Sequence, residues 1–173
     1  MDAPSPLRIL PPEAPAADPL LERDAEALYE AVSDLVRAYQ SLDRDRICCH
    51  DISISQCYAL EAVVRRGGLT LNELAAHLYL DKSTASRVVD ALERKGYVDR
   101  SPNPADGRSL LLVPTGVGEE LYRTIRGGLL AEEQGLLSGF DPEVRQSMTK
   151  LIARLARAVA ARVESGVSCC KVE

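Results

Sequence analysis

Five cysteines carry the most distinctive chemistry in this 173-residue chain: two adjacent pairs, Cys48-Cys49 and Cys169-Cys170, and the isolated Cys57. Neighbouring alpha carbons lie about 3.8 Å apart, below the roughly 4.4 Å lower limit of ordinary disulfides, so a bond within either pair is strained. Bonds between sites, or shared coordination of one ion, suit these residues better. Three converging thiolates fit soft ions: trivalent arsenic or antimony, mercury, cadmium, lead or zinc. His50 and Asp51 stand beside the first pair and suit a borderline ion such as zinc. Cys57 falls near a helix start, a setting that favours the thiolate for binding or oxidation. Both pairs lie in polar stretches, poor places for a merely buried thiol, although incidental reduced cysteines are the plain alternative. No metal or cofactor is expected to be needed for folding.

A second group of side chains suits nucleic acid. Lys82, Ser83, Thr84, Ser86 and Arg87 crowd the start of one helical segment, where backbone N–H groups and the helix dipole attract phosphate. The hydroxyls are small donors to phosphate oxygens, and Arg87 can reach a base edge or a second phosphate. The plain alternative for Ser83, Thr84 and Ser86 is helix capping and solvated surface. Downstream, Asn103, Asp106 and Arg108 occupy a polar turn. An enzyme finds little support: neither His50 nor His77 lies in a nucleophile or metalloenzyme motif, and no phosphate loop is present. His77 is assigned no function.

The overall charge of -5 and pI near 5.2 look unfavourable for a DNA binder. The distribution removes the objection, because residues 1–34 carry a net -6, leaving +1 for residues 35–173. A hydrophobic share of 46% excludes global disorder. No run approaches the roughly 18 apolar residues of a membrane span, and the N-terminus lacks a signal pattern. A cytoplasmic protein with no membrane partner is therefore expected. Aromatic residues make up only 4% and Trp is absent, so a surface of stacking rings is poorly supplied.

Pro4, Pro6, Pro11, Pro12, Pro15 and Pro19 mark an extended or flexible arm over 1–19. Apolar residues from Leu21 to Leu42 recur at three and four, giving a long amphipathic helix over about 20–42. A polar connector follows from Asp43 to Asp51. Ser53 with Gln56, and Thr70 with Glu73, have capping-box spacing for helices reaching about Arg66 and Leu78. Asp81 caps a further helix to Lys95, stopped by Gly96. Val88, Val89 and Leu92 of that helix should face the core. Tyr97–Ser101 and Ser109–Val113 read as strands around a seven-residue tip. Thr115 opens a helix interrupted near Gly127-Gly128 and Gly135, and Asp141-Pro142-Glu143 opens a last helix to about Glu164. The fold class is mainly α with a small β-hairpin, a helix-turn-helix followed by a wing.

Residues 69–122 resemble the winged-helix core of the MarR family of transcriptional regulators. The resemblance rests on LAAHL as supporting helix, DKSTASRVVDALERKG as recognition helix, YVDRSPNPADGR as strand plus wing, and the T-x-x-G after it. It extends more loosely to residues 20–165 through the helix order. It implies that Arg108 enters the minor groove, with Asp106 holding its guanidinium or stabilising the tip. It further implies a homodimer bound to a pseudo-palindromic stretch of double-stranded DNA, its first and last helices forming the dimerisation body. The domains expected are an arm (1–19), N-terminal helices with the cysteine connector (20–66), a winged helix-turn-helix (67–115), C-terminal dimerisation helices (116–165) and a cysteine tail (166–173).

In the family the last helix returns towards the partner's first two helices, which would bring Cys169 and Cys170 towards Cys48, Cys49 and Cys57. The function expected is a repressor released from its operator when these thiols bind a soft metal or metalloid, trivalent arsenic first. The alternatives are thiol oxidation, as in the peroxide-sensing branch of the family, a small organic ligand, and a non-regulatory metal or redox module.

Overall fold

The computed structural model describes residues 18–47 and 50–165, except the side chains of Asp45 and Arg46. Cys48, Cys49, Cys169, Cys170 and the proline-rich arm up to residue 17 lie outside the described residues. The chain divides into two compact units at Asp45/Arg46. The first contains most of α1, Pro19–Ile47, which continues past the expected end near Leu42. Leu21, Leu28, Leu35 and Leu42 recur every seven residues along it, and all four are exposed, the pattern of a helix that meets another helix.

The second unit holds α2 (Ile54–Arg66), β1 (Leu69–Thr70), α3 (Leu71–His77), α4 (Lys82–Arg94), β2 (Val98–Asn103), β3 (Asp106–Pro114), α5 (Gly116–Leu137) and α6 (Pro142–Glu164). Its helix starts are built as the sequence spells them. Ser53 and Thr70 form complete capping boxes with Gln56 and Glu73, each satisfying two otherwise unpaired backbone N–H groups. Asp81 caps α4 and Thr115 caps α5. Gly96 takes the left-handed conformation after α4, with φ of 74°, the role glycine fills most cheaply. Asp141 stands before α6, but its side chain makes no capping hydrogen bond.

Three expectations need correction. The interruptions near Gly127-Gly128 and Gly135 do not occur; α5 runs unbroken from Gly116 to Leu137. Each glycine costs a helix about 1 kcal/mol, roughly 3 kcal/mol for the three, and the burial of Ile125 with the partial burial of Leu121 and Leu129 against the core offsets a cost of that size. The hairpin has only Pro104 and Ala105 between its strands, in place of a seven-residue tip. Polar residues belong to the strands there because both faces of the outer hairpin meet water. Finally, the hairpin is part of a three-stranded antiparallel sheet in the order β1-β3-β2, with Leu69 opposite Leu112 and Val98 opposite Pro114.

The core of this unit sits where α2, α3, α4 and the sheet meet: Ala59, Leu60, Ala62, Val63, Leu69, Leu74, Val89, Leu92, Val98 and Leu112. Val89 and Leu92 are fully buried and Val88 is half-buried, as expected. A smaller cluster, Ile47, Ile52, Cys57 and Ile125, joins the end of α1 and the segment before α2 to α2 and α5. Tyr97 packs against both clusters.

Candidate nucleic-acid interface

Lys82 at the start of α4, Thr70 and Asn72 at the start of α3, and Arg100, Arg108 and Leu110 of the hairpin border one open groove of about 380 Å³. Two residues expected to meet DNA, Lys82 on the helix and Arg108 on the wing, are thereby brought together. Both are exposed, and neither takes part in an ion pair among the described residues. Arg87 is likewise exposed and outside those pairs. Cations held in water without an internal partner remain available for phosphate or base edges.

Ser83 and Thr84 are engaged differently. The Ser83 hydroxyl donates to Asp81 Oδ1 at 2.5 Å and the Thr84 hydroxyl to Asp81 Oδ2 at 2.7 Å, while the Thr84 N–H donates to Oδ1 at 2.9 Å. These bonds hold the Asp81 carboxyl well below the usual carboxylate range, the Ser83 bond contributing most. The two hydroxyl protons therefore belong to the cap in the free protein, and Ser86 is half-buried. The charged residues of α4 are better presented for DNA than its hydroxyls.

The wing shows what Asp106 does. Its Oδ1 accepts the Arg108 backbone N–H at 3.1 Å, and its carbonyl accepts the Ser109 hydroxyl at 3.1 Å. It shapes the turn and does not hold the guanidinium. Asn103 also works inside the hairpin, donating to Ser109 Oγ at 2.9 Å and accepting the Ala105 N–H at 3.0 Å. Its amide is thus committed to the turn that carries Arg108. Substituting Arg108 with alanine should weaken DNA binding by roughly 1–3 kcal/mol and reduce the salt slope if it contacts phosphate. Unchanged affinity at fixed salt, measured by fluorescence anisotropy, would remove Arg108 from the interface.

Sequence reasoning missed Thr70, Asn72 and Arg100 as groove residues. Thr70 was legible only as a cap, and Arg100 only as a strand residue.

Two further contacts hold α4 in place. At its end, Lys95 Nζ donates to the Asp51 carbonyl and lies 3.4 Å from Gln56 Oε1 and 3.6 Å from Asp51 Oδ2. Asp51 has a positive φ of 54°, a conformation Asp tolerates better than most residues. Next to it, the Thr115 hydroxyl donates to the Gly96 carbonyl at 2.6 Å and the Thr115 N–H to the Tyr97 carbonyl at 3.1 Å.

Of the five cysteines, Cys57 alone lies within the described residues. It is 7% exposed and packs with Ile47, Ile52 and Ile125. Among the described residues no three His, Cys, Asp or Glu side chains converge to hold a metal ion. His77 Nδ1 lies 3.4 Å from Arg66 Nη2, on the surface of α3. Among the described residues, no helix is long and apolar enough to cross a membrane.

Comparison with known proteins agrees with this geometry. The MarR family profile matches residues 50–109, which span α2, the helix-turn-helix and the outer wing. An uncharacterised HTH-type transcriptional regulator of Mycobacterium bovis is 30% identical over 142 residues, covering 79% of this chain and 96% of that protein. A MarR family protein from Bacillus stearothermophilus superposes with a TM-score of 0.74 at 22% identity, over 83% of this chain and 99% of that one. FabT of Streptococcus pneumoniae, solved in complex with DNA, superposes with a TM-score of 0.70 at 20% identity, covering 78% and 96%. These relatives decide for a regulator over a non-regulatory module, and MarR family regulators are DNA-binding proteins, not enzymes. From its recognition helix and wing to the relatives that share them, the chain is a MarR family transcriptional regulator.

Proposed function

We propose that this regulator is a homodimeric repressor that leaves its operator when its cysteines bind a soft metal or metalloid, trivalent arsenic first. The observation that carries the DNA reading is the pair Lys82 and Arg108, both exposed at one groove where the first residue of α4 and the wing meet the start of α3. With Arg87 they are the proposed charged contacts. Ser83, Thr84 and Ser86 line the same helix start, and Asn103 and Asp106 hold the wing tip. Dimerisation is supported by α6, which buries none of its own residues although Val144, Leu151, Ile152, Val159 and Val163 run along it. An apolar stripe left in water calls for a partner, and a two-fold pair would read half-sites about one helical turn apart.

The effector reading is supported by what flanks Cys48-Cys49. Ile47 before the pair and Ile52 after it both pack in one cluster with Cys57, so both ends of the connector are anchored beside the third thiol. A ligand drawing these sulfurs together would strain that cluster. Lys95, bonded to the Asp51 carbonyl, links the same connector to the end of α4. Release of DNA then follows only if the ligand binds the non-competent arrangement more tightly.

The test is fluorescence anisotropy of the reduced protein on DNA from upstream of its own gene, with arsenite added stepwise and then a small dithiol. Release that the dithiol reverses, and that Cys48→Ser/Cys49→Ser abolishes, is the expected result. Sequence-specific binding untouched by arsenite would overturn the metalloid while keeping the regulator. Release by peroxide or by an organic ligand in its place would assign the effector to those classes.

A further inference from the structure

Arg100, on β2, reaches back from the wing to α4. Its Nη2 donates to Asp90 Oδ1 at 2.5 Å, and its Nε lies 3.5 Å from Glu93 Oε2. The two carboxylates are three residues apart and share one face of α4, so the planar guanidinium fork meets both. The side chains of Arg100, Asp90 and Glu93 are 33%, 44% and 39% exposed, which leaves little for this group to add to overall stability. Beyond Val98 no residue of β2 is buried. Apolar packing on that strand therefore does not set the angle at which the hairpin leaves the core.

Arg100 also borders the groove with Lys82 and Arg108. A direct reading would make it a third phosphate contact. Its surroundings argue against that: one guanidinium between two carboxylates is a group of net negative charge, and two of its nitrogens, Nη2 and Nε, already meet carboxylates of α4. Resting on the reading of α4 and the wing as the DNA-contacting elements, we propose that Arg100 is a positioning residue. Anchored on Asp90 and Glu93, it fixes the angle between recognition helix and wing, and with it the register in which Arg87 and Arg108 meet one duplex.

The proposal predicts a sign opposite to simple electrostatics. Removing the negative charge of Asp90 should tighten DNA binding if charge alone matters; here it weakens sequence-specific binding. The experiment uses the full-length protein, a duplex that the wild type enriches from a random pool, and a shuffled duplex of the same composition, each at several salt concentrations. Asp90→Asn and Arg100→Met should each lose roughly fivefold affinity for the enriched duplex, the largest bias expected from a half-exposed ion pair. Both should keep the wild-type salt slope, and the double variant should lose no more than either single one. Arg100→Gln serves as a second replacement if Arg100→Met melts well below the wild type.

Equal or tighter specific binding by Asp90→Asn overturns the proposal, as do losses that multiply in the double variant. A salt slope shallower by about one for Arg100→Met also overturns it, by making Arg100 a phosphate contact. A wild type that enriches no duplex overturns the reading of the DNA-contacting elements themselves, and does so before any variant is made.

Discussion

Replacing Gly118 by alanine is expected to lower the melting temperature by about 6–12 °C, the consequence of roughly 3 kcal/mol of overpacking in a chain of this size. A Cβ built on Gly118 would lie 2.0 Å from the Tyr97 carbonyl oxygen and 2.9 Å from its carbon. Both are backbone atoms, so no side chain can rotate away. The conflict also falls where the start of α5 is bonded to the turn between α4 and β2. The Gly118 N–H donates to Thr115 Oγ1 at 3.0 Å, and the Thr115 hydroxyl and N–H are bonded to Gly96 and Tyr97. Moving α5 outward would break these bonds and pull Ile125 from the cluster it shares with Cys57. Gly116→Ala is the matched control, because a Cβ there meets nothing within 4 Å. If circular dichroism shows the two variants melting together, the close approach at Gly118 is not what the chain depends on.

The second large effect is expected on α6. Leu151 is 67% exposed and Val159 55% exposed, so glutamate at both positions adds little strain within one subunit. Buried against a partner, the same two carboxylates would lie unpaired in an apolar contact, which is strongly unfavourable. Leu151→Glu/Val159→Glu should therefore sediment as a folded monomer. With two recognition helices no longer linked, affinity for a two-half-site duplex should fall between about a hundredfold and ten-thousandfold. Sedimentation velocity and DNA titration together check this. A double variant that remains dimeric and binds DNA as the wild type does would show that the partner surface lies elsewhere.

Much of the fold was legible because its signals are local. Ser53 with Gln56, and Thr70 with Glu73, name helix starts within four residues, and the structure builds both caps as spelled. Val89 and Leu92 declared the inner face of α4 by spacing alone. The wing tip is shorter than its composition suggests: polar residues such as Asn103 and Asp106 have the character of a loop, yet their side chains stabilise the turn from within the strands. The glycines of α5 read as breaks because local propensity cannot see the core that Ile125 fills.

The candidate site divides in the same way. Lys82, Arg87 and Arg108 were legible by type and by resemblance. That Ser83 and Thr84 donate their hydroxyl hydrogen bonds to Asp81 depends on rotamers, which no residue count reveals.

What the sequence by itself determined is the order of the helices and the hairpin, the caps at Ser53, Thr70, Asp81 and Thr115, the inward stripe of α4 and the family, nearly all consequences of spacing within a few residues. Only the tertiary structure decided the contacts between distant segments. Leu69–Thr70 is a strand only because β3 passes beside it. Arg100 is a wing-to-helix tie only because Asp90 and Glu93 face it. Cys57 lies in an apolar cluster only because Ile47, Ile52 and Ile125 close around it. Each of these depends on which surfaces bury one another when the chain folds, and that is a property of the packed whole.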